Sequence, residues 1–217
     1  LCWANEHWTR RWDGLDHEVL IAQAHSPEDD LAFIQSLEPA FRDRRYIRVN
    51  GRPLLVIYKP SLLPDPKASA QRWRDYCARN SLGGLYLVAV QASETEDPRP
   101  LGFDATVEFP PHELAVGAPV LNGQMKIVNP NYQGVICDYS YLIESAKKIS
   151  RADFTLFRGV CPSWDNEARK PGKGMTYQNS TPTLYQEWLA QACRFAAKES
   201  DPDKRLVFIN AWNEWSE

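Results

Sequence analysis

The sequence predicts a (β/α)₈ barrel, present as a portion that lacks the first two strands. Three observations carry this. Short apolar runs alternate with helical patterns, which is the signature of parallel β/α units. No G-x-G-x-x-G follows any apolar run, which disfavours an open dinucleotide-binding sheet. Polar and aromatic clusters follow the runs, as they do at the carboxyl-terminal rim of a barrel.

The predicted strands are Leu1–Ala4, Leu54–Tyr58, Leu85–Val90, Phe103–Val107, Phe154–Cys161 and Leu206–Ala211. A complete barrel has eight strands in roughly 250 residues. Six strands in 217 residues therefore read as one catalytic barrel domain, residues 1–217, truncated at both ends. Between the strands lie helix signals. Ser26-Pro27-Glu28-Asp29 supplies an N-cap, a first-turn proline and acidic first-turn residues before Leu31, Ile34 and Leu37. Pro39 is expected to end or kink that helix. Lys67–Asn80 is a second helix, closed by Gly83-Gly84, and Tyr139–Ile149 is a third. Thr181-Pro182-Thr183 opens a fourth, with Leu184, Trp188, Leu189, Ala192 and Phe195 on its inner face. Before the second strand, Tyr46–Val49, Asn50-Gly51 and Arg52–Leu55 spell a hairpin with a two-residue turn. It belongs at the amino-terminal face, so Arg42, Arg44, Arg45, Arg48 and Arg52 read as a solvated hairpin and helix end rather than a phosphate site.

Composition narrows the function. The formal charge is −3, with 25 basic and 28 acidic residues, which argues against nucleic acid or an anionic membrane as partner. No apolar run approaches the roughly 18 residues of a membrane span. The five cysteines, Cys2, Cys77, Cys137, Cys161 and Cys193, are scattered without metal-ligand spacing and read as reduced thiols of a cytoplasmic protein. Eight Trp, nine Tyr and eight Phe fit a sugar-binding cleft, where indoles stack on pyranose faces, although Trp12, Trp73 and Trp188 read as packing.

The strand ends supply the chemistry. Trp3, Asn5, Glu6, His7 and Trp8 follow the first strand, Tyr58 and Lys59 the second, and Gln91 the third. Glu108-Phe109-Pro110-Pro111 follows the fourth, Trp164-Asp165-Asn166 the fifth, and Asn210, Trp212, Asn213, Glu214, Trp215 and Glu217 the last. Carboxylates move protons, amides fix hydroxyls and indoles stack on rings. Two acids three residues apart beside an Asn and two Trp have little to do with stability. Trp3, Asn5, Glu6, Trp8, Tyr58, Glu108, Trp164, Asp165, Asn213 and Trp215 are therefore the expected substrate-binding set. Glu214 and Glu217 are an acid pair expected to be functional. No cofactor or metal is expected.

The segments Trp3–Gly14, Gly102–Ala105, Glu108–Pro111, Trp164–Asn166 and Asn210–Trp215 resemble, in unbroken order, the WbsX-type proteins. These are described as glycosyltransferases of surface-polysaccharide gene clusters and as similar to glycoside hydrolase family 99. The resemblance implies a (β/α)₈ enzyme acting on an oligosaccharide or bacterial surface polysaccharide. Family 99 holds endo-acting α-mannosidases and mannanases with an Asn-Glu-Trp-His-Glu motif. Its two carboxylates fall on Glu214 and Glu217. Ser216 stands where that family has His, and His7 where an Asn is expected. Implied with them is a route in which the first carboxylate assists the sugar's 2-hydroxyl and the second is acid, then base.

Two other readings remain. A glycosyltransferase would use an activated donor, and a metal-dependent one would want an Asp-x-Asp at a strand's carboxyl end. The string Asp201-Pro202-Asp203 instead precedes the last strand. A non-catalytic carbohydrate-binding protein would show aromatics without the carboxylate pair.

Overall fold

The computed structural model describes residues 1–91 and 97–212. In chain order the elements are β1 (Cys2–Trp3), β2 (Trp8–Arg10), β3 (Leu15–Ile21), α1 (Pro27–Arg42), β4 (Arg48–Val49), β5 (Arg52–Ile57), α2 (Pro66–Arg79) and β6 (Tyr86–Gln91). They continue with β7 (Ala105–Glu108), β8 (Val135–Asp138), α3 (Tyr139–Lys147), β9 (Thr155–Val160), β10 (Met175–Gln178), α4 (Pro182–Ala196) and β11 (Val207–Ile209).

The six predicted strands all form, and they pair in one parallel sheet in the order β1-β5-β6-β7-β9-β11. This curled α/β sheet is half-barrel-like. One face packs under helices. Leu55, Ile57, Leu85, Leu87 and Ala89 meet Ile34, Phe41, Ala70 and Trp73 from α1 and α2. Val160 meets Tyr139, Leu142, Trp188 and Ala192 from α3 and α4. The other face gathers Leu54, Val56, Tyr86, Val88, Val90, Ala105, Val107 and Phe157 in a separate cluster with no helical member. The alternation along each strand makes these two faces, with period two.

The capping signals hold. Asp29 N–H donates to Ser26 Oγ at 3.1 Å and Leu184 N–H to Thr181 Oγ1 at 3.2 Å. The predicted turn forms with positive φ at Asn50 and Gly51, 50° and 75°. Its hairpin shares one edge of β5 with β1. Leu54 N–H bonds the Ile47 carbonyl, while Val56 and Tyr58 bond those of Leu1 and Trp3.

One expectation is corrected, since Pro39 does not end its helix. α1 runs through Pro39 to Arg42. Phe41, fully buried, anchors the final turn, and Arg42 Nε bonds Glu38 Oε1 at 2.8 Å, so tertiary packing offsets the missing N–H. Two pairings were unforeseen as strands: the antiparallel β2–β3 and the parallel β8–β10. The first is irregular in register and the second joins residues about forty apart, so neither has a local signature.

At the amino-terminal face Arg42, Arg45, Arg48 and Arg52 have structural partners. Arg48 donates to the carbonyls of Gly51, Leu82 and Phe41, and Arg52 pairs with Asp104 at 2.9 Å. Arg45 pairs with Asp43, and Arg42 with Glu38. The Asp-x-Asp string serves the same face. Asp203 Oδ2 accepts from Asn50 N–H at 2.8 Å and Asp201 Oδ2 from Asn50 Nδ2 at 2.9 Å. All five cysteines are free. Among the described residues no helix is long and apolar enough to cross a membrane.

Candidate active site

Because the sheet is parallel, its strands all end on one rim, and the side chains there come from distant parts of the sequence. At the ends of β1 and β5 the structure brings Asn5, Glu6 and Tyr58 together with Lys59. Asn5 is fully buried. Its Nδ2 donates to the Lys59 carbonyl and its Oδ1 accepts from Lys59 N–H, both at 2.8 Å. Asn5 thus clamps two strand ends and positions its neighbours. Glu6 Oε1 and Lys59 Nζ pair at 2.5 Å in a half-buried setting, and Lys59 Nζ stands 5.4 Å from the Tyr58 ring centroid. Burial, then the Glu6 charge, raise the Tyr58 pKa, keeping its hydroxyl protonated.

An aromatic chain crosses the rim from there. Tyr58 and Phe109 have centroids 5.2 Å apart, Phe109 and His112 5.6 Å, and His112 and Trp164 6.0 Å. Close passage of this segment over β9 depends on Gly159. A Cβ there would stand 2.5 Å from the Glu108 carbonyl oxygen. Asn210 Nδ2 donates to the Pro110 carbonyl at 2.6 Å, tying the end of β11 to the same segment. β11 stops at Ile209, and Ala211 takes a left-handed φ of 54°, so the chain turns just short of its terminal motif.

The side chains of the other predicted residues have different surroundings. Trp3 faces the helices, stacked 4.1 Å from Phe33 and edge-on to Trp73 at 6.2 Å. Its register partner is Ile57, on the helix-covered face, which explains the direction. Trp8 lies on β2 and is 66% exposed. Asp165 is exposed and accepts from Glu167 N–H at 2.9 Å and Thr176 Oγ1 at 3.1 Å, while Asn166 Oδ1 accepts from Met175 N–H at 2.6 Å. Both frame the loop into β10. Asn213, Glu214, Trp215 and Glu217 lie outside the described residues.

Glu108 turns to the helix side, since Val107 belongs to the opposite face. It is 6% exposed, and its Oε2 accepts from Arg158 Nε at 2.8 Å and Gly159 N–H at 2.9 Å. Oε1 is buried without a partner among the described residues. Burial raises its pKa, against the pull of Arg158 and the Gly159 amide. Arg158 is buried too, donating to the Ala146 carbonyl at 2.9 Å with its guanidinium 4.8 Å over the Phe195 ring.

Trp164 is only 4% exposed and packs in the cluster of Tyr139, Tyr177 and Trp188. Its indole supports the rim from below. Trp164→Ala should therefore lower stability by about 3–5 kcal/mol, the usual cost of emptying a large aromatic site. Denaturant melts of the full-length protein test this; an unchanged midpoint would place the indole outside the core.

The family model for glycosyltransferase WbsX matches residues 1–217, the whole chain. The chain belongs to the WbsX glycosyltransferase family. Two relatives of this WbsX family member, both named uncharacterized protein WxcX and from two strains of Xanthomonas campestris pv. campestris, are 46% identical over all 217 residues. The chain spans 31% of their length. Among solved structures, the GH99 endo-α-mannosidase of Bacteroides thetaiotaomicron, in complex with bis-tris propane, matches with a TM-score of 0.54 at 16% identity, over 90% of this chain and 55% of that one. A glycoside hydrolase-like protein matches with a TM-score of 0.51 at 15% identity, over 87% and 51%. Both likenesses concern the fold.

His112 is the rim residue that strand-end reasoning missed, and Phe109, named at its strand end, was left out of the substrate-binding set. The signal was present in Glu108-Phe109-Pro110-Pro111-His112, whose prolines end β7 and carry the following ring back over the rim.

Proposed function

We propose that this WbsX family member is the catalytic core of an enzyme that cleaves or transfers glycosidic bonds of a bacterial surface polysaccharide, within a full (β/α)₈ barrel that residues 1–217 form only in part. The observation that carries this reading is the shared rim. The Glu6–Lys59 pair, the Tyr58–Phe109–His112 chain and the end of β11 converge there. The chain leaves the described structure at Trp212 on that side.

On this reading Glu214 and Glu217 are the carboxylate pair. Glu214 takes the proton of the substrate's own 2-hydroxyl, whose oxygen attacks the anomeric carbon to form a 1,2-anhydro sugar. Glu217 protonates the departing glycosidic oxygen. It then removes a proton from water or an acceptor hydroxyl, which opens the anhydro ring at the anomeric carbon, and Glu214 returns its proton to O2. The sugar stacks on the accessible faces of the half-buried Tyr58 and Phe109 rings, worth about 1 kcal/mol per ring. Glu6 and Lys59 bond hydroxyls, and Asn5 fixes their positions. Asn213, Trp215 and Trp8 complete the substrate set from the terminal motif and the β2–β3 hairpin.

The family's description favours a second reading, transfer from an activated donor. The same rim would serve it, because the Asp-x-Asp string is engaged by Asn50 at the opposite face. The full-length protein incubated with a polysaccharide panel and with nucleotide-sugar donors, product anomers followed by NMR, separates the two. New reducing ends support hydrolysis; donor consumption with acceptor extension supports transfer; inertness toward both overturns the proposal.

A further inference from the structure

We propose that His112 is a sugar-binding residue of this rim, presenting a neutral Nε2 as acceptor to a glycan hydroxyl. The inference rests on the function proposed above and assigns a residue within it.

The tautomer follows from one contact. His112 Nδ1 lies 3.0 Å from the Phe109 carbonyl oxygen. A carbonyl only accepts, so Nδ1 carries the proton, and in the neutral ring Nε2 keeps its lone pair. The orientation follows from two more contacts. The Phe109 ring lies 5.6 Å away at 36°, and the Trp164 indole meets the imidazole edge-on at 6.0 Å. Trp164 is itself locked in the core, so the imidazole rests on a fixed support.

Electrostatics favour the uncharged ring. The residue keeps an exposed edge, but protein crowds its other sides, and this desolvation lowers its pKa below 6.5. Lys170, from the loop after β9, and Lys59, from the end of β5, push the same way. The Phe109 carbonyl and Glu113 oppose them. At neutral pH the imidazole is thus an acceptor of fixed direction on the rim that also holds Tyr58 and Lys59. Among the described residues no protein group hydrogen-bonds its Nε2. The matching ligand is a hydroxyl-rich pyranose, whose O–H groups donate.

The test uses the full-length protein and the glycan that it turns over. His112→Phe keeps an aromatic ring against Phe109 and Trp164 but removes the acceptor. KM should rise about tenfold, the equivalent of roughly 1.4 kcal/mol, with kcat changed much less. His112→Gln, whose amide oxygen can accept in place of Nε2, should recover part of the loss. In the wild type, kcat/KM should fall as pH drops through a pKa below 6.5, because a protonated Nε2 donates. His112→Phe should lose that limb. NMR of the histidine-labelled protein should show the Nδ1–H tautomer at pH 7.5 and a shift of Nε2 on adding the glycan. An Nε2–H tautomer overturns the proposal whatever the assays show. So does an active wild type whose KM and pH profile survive in a folded His112→Phe variant. A wild type inert toward every glycan and donor overturns instead the enzymatic reading, and this proposal with it.

Discussion

Glu217→Gln in the full-length protein should reduce turnover by about 10²-fold or more while substrate still binds, the usual range for losing an acid/base group. The amide keeps the shape of the side chain and cannot protonate the leaving oxygen. Glu214→Gln should have a comparable effect, because the 2-hydroxyl would lose the group that takes its proton. The two carboxylates are close in sequence and would titrate as a coupled pair, so the pH–rate profile reports the pair and not either residue. Single-turnover kinetics beside equilibrium binding is the measurement that checks this. If either variant keeps near-wild-type turnover, the motif returns to a binding role.

Arg158→Ala should destabilise the fold by about 3–5 kcal/mol, because it leaves the Glu108 carboxylate buried without its counter-charge. Arg158 is 3% exposed at its side chain and also bonds the Ala146 carbonyl, so the loss removes a tie between β9 and α3 as well. Glu108 brings a pH dependence whose sign follows from its raised pKa. The folded state holds that proton more tightly than the unfolded chain does, so Glu108 favours folding at pH values below its ordinary 4.5. That contribution is lost as pH rises from there through the higher folded value. Glu108→Gln should flatten this part of the stability profile. Denaturant unfolding of wild type and both variants across mildly acidic pH gives both results. An Arg158→Ala midpoint equal to wild type would show that solvent reaches the pair.

Much of the scaffold was legible from local physics. Ser26 and Thr181 announce their helices because a side-chain oxygen can satisfy an amide that the first turn leaves free. Asn50-Gly51 announces its turn because both residues tolerate positive φ. Parallel strands buried on both sides read as continuous apolar runs, as in Leu85–Val90. Those signals lie within a few residues of the feature they specify. Pro39 shows where such local rules end, since the buried Phe41 holds the helix together past it.

The candidate site was legible in its residue types and less so in its directions. Sequence places Trp3, Glu108 and Trp164 at strand ends, and the structure agrees on their positions along the chain. What the chain alone does not specify is the face each one takes. Trp3 and Glu108 fall on the helix side because the pleat of β1 and β7 puts their neighbours on the other. Trp164 is buried because β10 and α4 close over it, which requires pairings across many residues.

The sequence by itself therefore determined the order of the six strands of the main sheet and the four helices, the parallel sheet, the caps and the turn at Asn50-Gly51. Each depends on side-chain chemistry within one element or its immediate neighbours. Only the tertiary structure decided that Asn5 clamps Lys59, that Arg158 neutralises Glu108 and that His112 joins Tyr58, Phe109 and Trp164 on one rim. Those contacts join residues up to 54 positions apart. They exist because parallel strands bring their ends to a common edge, and the pleat then selects which side chains meet there.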